Sequence, residues 1–303
     1  MTLAASAPKG IRISRALVLS GGGPVGIGWE AGVVAGLAAQ GVDAGLADYI
    51  LGTSAGSVVG AQVASGRDMA EVAERMQADP SASSSRAPVL ASGEQLQALM
   101  KAFMDLFTST EPDEVKRAKI GKFALEAETM PEEAFIANFA HPADADWPRR
   151  FACTAVDAET GEFVVWDESS GAPLSRCVAS SCAVPGIFPP ITINGRRYVD
   201  GGMRSATNAD LAKGHDRVLI LTLMNPATMA GPFASLAAGF EDEIATLQDA
   251  GGTVEVVFPD SDAASAMGIN LMDPSMVTPA AEAGERQGKL IADRLAVFWS
   301  SDD

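Results

Sequence analysis

Residues Gly52-Thr53-Ser54-Ala55-Gly56 hold a serine among small residues in the spacing G-x-S-x-G. A serine hydroxyl becomes a useful nucleophile only when a base takes its proton and hydrogen-bond donors receive the charge that develops on the substrate. Both needs favour a sharp turn between a strand and a helix, which projects the hydroxyl from the edge of a sheet. The flanking sequence supplies that setting. Tyr49-Ile50-Leu51-Gly52 reads as a short apolar strand, and Ala55 to Ser65 (AGSVVGAQVAS) as a helix of small residues. The positive end of that helix's dipole would face Ser54 and favour negative charge there. Gly52 and Gly56 let neighbouring backbone come close. The chemistry indicated is acyl transfer through an acyl-serine.

Gly21-Gly22-Gly23-Pro24-Val25-Gly26 admits two readings. Gly21, Gly23 and Gly26 fit G-x-G-x-x-G, a dinucleotide-binding loop, but that loop needs an acid about 20 residues on, at the end of a second strand. No acid stands clearly in that place. The other reading is an oxyanion hole, with backbone N–H groups of the glycine loop as donors. A glycine loop and a serine turn within one β-α-β unit would open at the same carboxyl edge of a parallel sheet.

Three side chains compete for the base. His141 (Ala140-His141-Pro142) and His215 (Gly214-His215-Asp216) are the two histidines of the chain. Catalytic histidines of α/β-hydrolases come last in the triad's chain order, after the acid. Asp200, in Val199-Asp200-Gly201-Gly202, ends a hairpin strand and is followed by two glycines, although Asp-Gly also serves as a plain turn. Asp157, in Asp157-Ala158-Glu159-Thr160-Gly161, reads as turn chemistry.

The elements that would position these residues alternate. Ile11 to Ser20 is a strand running into the glycines, and Gly28 to Gln40 a helix. The order strand, glycine turn, helix, strand, helix predicts an α/β fold with a mostly parallel sheet. From about 68 to 142 the pattern becomes helical and rich in Met and Phe. Amphipathic helices are expected at 68–77, 94–107, 112–125 and 131–139, either as ordinary packed helices or as a lid over a pocket. Strands resume at 150–156 and 162–166. A helix spans 175–183, and a hairpin over 191–199 turns at Asn194-Gly195. Strands at 217–223 and 253–258 and helices at 235–248 and 279–299 complete one domain over 1–303.

Composition narrows the function. The 303 residues carry 22 Lys and Arg against 39 Asp and Glu, a net charge of −17. Little basic surface is left for nucleic acid or for docking on an anionic membrane. At 47% hydrophobic and 20% charged, the chain can bury a sizeable core. Cys153, Cys177 and Cys182 are an odd set, expected as buried small hydrophobes rather than a disulfide framework. No apolar run has the length of a membrane span, no Cys/His or carboxylate cluster has metal-ligand spacing, and a cytoplasmic location is expected. Trp29 reads as core or as a pocket wall. Val58, Val59 and Val63 are expected to pack on the sheet rather than touch substrate.

Taken together, GGGPVG, GTSAG about thirty residues later, and ASSCAVPGIFPP running into DGG resemble the patatin-like phospholipases. The likeness covers roughly 15–65 and 151–223. It implies a three-layer α/β/α sandwich with a helical insert at about 68–142. It implies a Ser-Asp dyad without a catalytic histidine, in which Ser54 is the nucleophile and Asp200 the general base. Gly21, Gly22 and Gly23, with Ala55, would supply the oxyanion hole, and Gly26, Gly52, Gly56, Gly201 and Gly202 support the motifs. The substrate implied is a lipid or small acyl ester, with no cofactor, no metal and at most transient membrane contact. One departure stands out. Val25 occupies a position that is often basic in the family, which weakens the expectation of a strongly anionic phospholipid. Acyl transfer to an acceptor other than water, and a non-catalytic lipid-binding role on the same fold, are the alternatives.

Overall fold

The computed structural model describes residues 13–72, 97, 101–105, 108–139, 147–229 and 234–300. Its eight strands are β1 (Arg15–Leu19), β2 (Tyr49–Gly52), β3 (Phe151–Asp157), β4 (Phe163–Trp166), β5 (Ile191–Ile193), β6 (Arg196–Asp200), β7 (Arg217–Leu221) and β8 (Thr253–Val257). The sheet runs in the order β5-β6-β3-β2-β1-β7-β8, with β4 on β3. Strands β3, β2, β1, β7 and β8 are parallel, and β4, β5 and β6 are antiparallel additions. The apolar runs of the central strands have the composition that parallel strands covered on both faces require.

The helices are α1 (Gly23–Ala38), α2 (Ala55–Ala64), α3 (Asp113–Glu126), α4 (Glu132–Ile136), α5 (Leu174–Ser181), α6 (Ala234–Asp249), α7 (Ser261–Met267) and α8 (Val277–Ser300). Along β3 the side chains alternate. Phe151, Cys153 and Ala155 join the core under α1, α2, α5 and α8, whereas Ala152 and Val156 face the layer of α6 and α3. This is the expected three-layer sandwich. Of the expected insert, the described parts are α3, α4, the adjoining turn Ala137–Phe139 and short helical pieces at 69–72 and 101–105. Most of 73–100, and His141, lie outside the described residues.

Most elements fall where the sequence places them, but α1 starts at Gly23, five residues before the expected Gly28. Proline is well tolerated in a helix's first turn, where its missing N–H costs nothing, so Pro24 opens this helix rather than delaying it. The glycine loop therefore runs directly into a helix N-terminus. Trp29 is core, with its Nε1 donating to Gln287 Oε1 at 2.9 Å.

Candidate active site

The placement of Ser54 and Asp200 follows from how three strands share an edge. Cys153 of β3 pairs with Gly52 of β2 and, on its other side, with Trp166 of β4. Two residues on, Ala155 pairs with Asp200 of β6 and again with β4. So β2 and β6 lie on the same edge of β3, pointing at each other, and their ends meet opposite Thr154. The residues just past those ends are Ser54 and the Asp200 carboxyl. Residues 146 apart in sequence are thereby brought together.

Ser54 has φ 51° and ψ −117°, the conformation of the first central residue of a type II′ turn, which glycine ordinarily fills. A serine there is strained, and such strain persists only where the surroundings enforce it. The enforcement is visible in the bonds around it. Ser54 N–H donates to Ser181 Oγ at 3.0 Å. Its carbonyl accepts from Ser57 Oγ at 2.6 Å and from Cys182 Sγ at 3.2 Å. The flanking glycines are required by close approach: a methyl at Gly56 would lie 2.1 Å from the Leu19 carbonyl oxygen, and one at Gly52 2.4 Å from Ser57 Cα. Cys182 was expected as a small hydrophobe only. It is buried, but its thiol also clamps the serine backbone, and burial raises its pKa.

Asp200 is 2% exposed. Its carboxylate accepts the Gly202 N–H at 2.7 Å and lies close enough to the Ser54 hydroxyl for that group to favour its charged form. Burial outweighs both and pushes its pKa up to about 7. Behind the pair lies a buried polar network. Thr53 Oγ1 and Thr154 Oγ1 are 3.0 Å apart, and the Asn208 amide donates to Thr53 Oγ1 at 3.0 Å and to the Ser205 carbonyl at 2.7 Å. Asn208 itself sits in the left-handed region with φ 50°. Gly201 packs against Thr154 with no space for a side chain.

The glycine loop crosses in front of Ser54; a methyl on Gly21 would come 3.5 Å from Ser54 Cβ, and one on Gly26 3.5 Å from Ala55 Cβ. The Gly21 N–H is bound to the Ala206 carbonyl at 2.8 Å and ties the loop to the 201–208 segment. The N–H groups of Gly22, Gly23 and Ala55 make no hydrogen bond to the described residues. Gly23 and Ala55 begin their helices, where N–H groups have no partner within the helix. Val25 is fully buried.

One histidine alternative recedes. His215 stacks on Tyr49 at 5.5 Å and places its Nδ1 2.9 Å from the Ala212 carbonyl, at the amino end of the sheet, away from Ser54. His141 is outside the described residues. Asp157 performs turn chemistry, accepting the N–H groups of Glu159 and Thr160 and pairing with Arg196.

An apolar cavity of about 260 Å³ opens beside Ser54, with Val58, Val59, Phe135, Phe139, Phe188 and Met272 in its walls. This corrects the expectation for Val58 and Val59. Helix α2 turns one side toward the sheet, but its Ala55-Val58-Val59-Gln62 stripe faces the cavity. Phe135 and Phe139, from the expected insert, supply the opposite wall.

Four participants had no role in the sequence reading: Glu30, Ser181, Thr154 and Asn208. Glu30 is completely buried and accepts the Ser20 N–H at 2.8 Å through one carboxyl oxygen. Burial pushes its carboxyl well above the ordinary range. The signal was present, since Glu30 is the single charged residue in the sixteen of α1. Asn208 left no comparable mark, because its role rests on contacts with segments far away in the chain.

The family described as Patatin-like phospholipase matches residues 17–213, about two thirds of the chain, including the glycine loop, Ser54 and Asp200. The chain belongs to the patatin-like phospholipase family. The family's description is that of a lipid acyl hydrolase. Solved structures similar to it include VipD from Legionella pneumophila, 12% identical with a TM-score of 0.45, covering 94% of this chain and 67% of VipD. The type III effector ExoU is 15% identical with a TM-score of 0.38, covering 93% of this chain and 53% of ExoU. The Pseudomonas aeruginosa complex of ExoU with SpcU matches at 15% and 0.39. The chain spans about half the length of ExoU. Comparison with curated proteins finds no significant match. Among the described residues no helix is long and apolar enough to cross a membrane.

Proposed function

We propose that this protein hydrolyses carboxylic esters of lipids through a dyad of Ser54 and Asp200, with Gly22, Gly23 and Ala55 forming the oxyanion hole. The observation that carries the reading is the meeting of a backbone-strained serine with a buried carboxylate, whose pKa burial pushes up to about 7. An ordinary carboxylate is too weak a base to take a hydroxyl proton, and desolvation raises its basicity to a value suited to neutral pH.

Ser54 Oγ attacks the ester carbonyl carbon while its proton passes to Asp200. The oxyanion of the tetrahedral intermediate is received by the three N–H groups, two of them at helix N-termini where the dipole adds to the stabilisation. The intermediate collapses, the carbon–oxygen bond to the alcohol breaks, and Asp200 returns the proton to the leaving alkoxide. Water then attacks the acyl-serine and gives a proton to Asp200. When the fatty acid leaves, that proton goes back to Ser54 Oγ. The acyl chain lies in the apolar cavity, with Phe135 and Phe139 of the helical insert in its wall. Three buried free cysteines and the charge of −17 favour a cytoplasmic enzyme that meets lipid transiently.

The test is hydrolysis of a short-chain p-nitrophenyl ester by wild type, Ser54→Ala, Asp200→Asn and His215→Ala, with fluorophosphonate labelling in parallel. Activity lost in the first two variants and kept in the third is expected. No turnover in wild type, together with no labelling of Ser54, would overturn the reading in favour of a binding protein.

A further inference from the structure

The cavity beside Ser54 has a measurable depth. Ala55, Val58, Val59 and Gln62 all line it, and the spacing i, i+3, i+4, i+7 is a single stripe along α2. The stripe begins at Ala55, whose N–H is a proposed oxyanion donor, so the acyl carbonyl marks its upper end. It stops at Gln62, two residues before the helix ends. Seven residues of helix advance about 10 Å. A fully extended chain advances about 1.2 Å per bond, as the 3.3–3.6 Å spanned by three backbone bonds shows, so this stripe matches about eight carbons.

Volume leads to the same size. At about 260 Å³ the cavity falls below the ~300–1,000 Å³ of sites that take drug-sized ligands. That is the size of a site for one acyl chain.

The two ends of the stripe differ in chemistry. Val58 and Val59 are hydrocarbon, and each methylene laid on them leaves water. Gln62 presents a partly exposed amide that makes no hydrogen bond to the described residues. A methylene pushed past it would displace water from that amide and offer nothing in return, which is unfavourable.

We infer that α2 is an acyl ruler: the enzyme prefers single acyl chains of about eight to ten carbons, and Gln62 sets the limit. The inference rests on the proposed attack by Ser54, which defines where the chain begins. Burying each methylene is expected to raise kcat/KM about fourfold up to the limit, the transfer value of a methylene expressed as a rate ratio.

The experiment has two arms. In the first, kcat/KM is measured for p-nitrophenyl esters of two to sixteen carbons. Wild type should climb to eight to ten carbons and then level or fall. Val58→Phe, which blocks the stripe one helical turn below the serine, should move the optimum to about four carbons. Gln62→Leu should let the climb continue, raising the ratio of the twelve-carbon to the eight-carbon ester about tenfold. In the second arm, saturated fatty acids of four to sixteen carbons are bound to Ser54→Ala and followed by calorimetry. Affinity there should peak at the same length and shift with the same second substitutions. That arm needs no turnover, so a peak at eight to ten carbons without ester hydrolysis would sink the dyad and leave the ruler standing. Affinity and rate that rise steadily to sixteen carbons, or profiles that Val58→Phe and Gln62→Leu both leave unmoved, would overturn the ruler.

Discussion

Two stretches build the candidate site by different means. Residues 15–65 form it from backbone. The glycine loop, the N-termini of α1 and α2, and Ser54 with its positive φ contribute N–H groups and one hydroxyl. Around them, glycines make way for main-chain atoms 2.1–2.4 Å from where a Cβ would stand. Residues 151–208 form it from side chains. Thr154, Ser181, Cys182, Asp200 and Asn208 hold the serine, the base and one another by hydrogen bonds that span long stretches of chain. The first stretch should therefore fail sterically, when a methyl is added. The second should fail by desolvation, when a buried polar group loses its partner.

Replacing the reacting groups themselves has the largest expected effect and treats both stretches alike. Ser54→Ala and Asp200→Asn should each lower kcat/KM on the order of 10⁴-fold, and the double variant no further, since the two act as a unit. Additive losses in ester hydrolysis would refute the dyad.

Asp200 should also set the pH response, in opposite senses for activity and stability. As a base it must be ionised, so kcat/KM should rise with pH and level off above about 7. Its ordinary value is 3.8, so between about 4 and 7 the unfolded chain has released a proton that the native state keeps. Stability therefore falls as pH rises through that window, by about 4 kcal/mol in all. Urea unfolding of wild type and Asp200→Asn at pH 4.5 and 8 checks this. The variant should be the more stable protein at pH 8, and a wild type equally stable at both would contradict the burial of an ionisable Asp200.

The comparison sharpens with one substitution from each stretch. Gly56→Ala should cost about 3 kcal/mol in thermal or urea unfolding, because the added carbon meets the Leu19 carbonyl and backbone must move. Asn208→Ala should cost about 2 kcal/mol by leaving Thr53 and Thr154 short of a donor. Its effect on kcat/KM should exceed its effect on KM, because the base shifts while the cavity does not. A harmless Gly56→Ala would break the distinction between steric and polar control. Smallest of all, His215→Ala should change kcat/KM less than twofold, since its ring stacks on Tyr49 at the far end of the sheet.

Legibility in the sequence follows the same division. The β-α-β-α order, the serine turn and the Asn194-Gly195 hairpin are local: glycine, β-branched and small residues within a few positions of one another decide each, and the structure places them where composition and spacing do. The carbonyl that binds the Gly21 N–H belongs to Ala206, and the cavity face of α2 is defined by Phe135 and Phe139. No local pattern announces such partners. For the same reason Val58 and Val59 read as sheet-packing residues, because an apolar side chain looks alike whether it faces a core or an acyl pocket.

What the sequence determined by itself was the α/β architecture and a short set of candidate residues for the proposed chemistry, because these depend on short-range periodicity and on residue types in a particular spacing. What only the tertiary structure decided was the meeting of Ser54 with Asp200, the burial that raises the Asp200 pKa, and the apolar cavity beside them. Each of these depends on β2 and β6 sharing one edge of β3 and on how much water the surrounding layers exclude, which are properties of long-range packing.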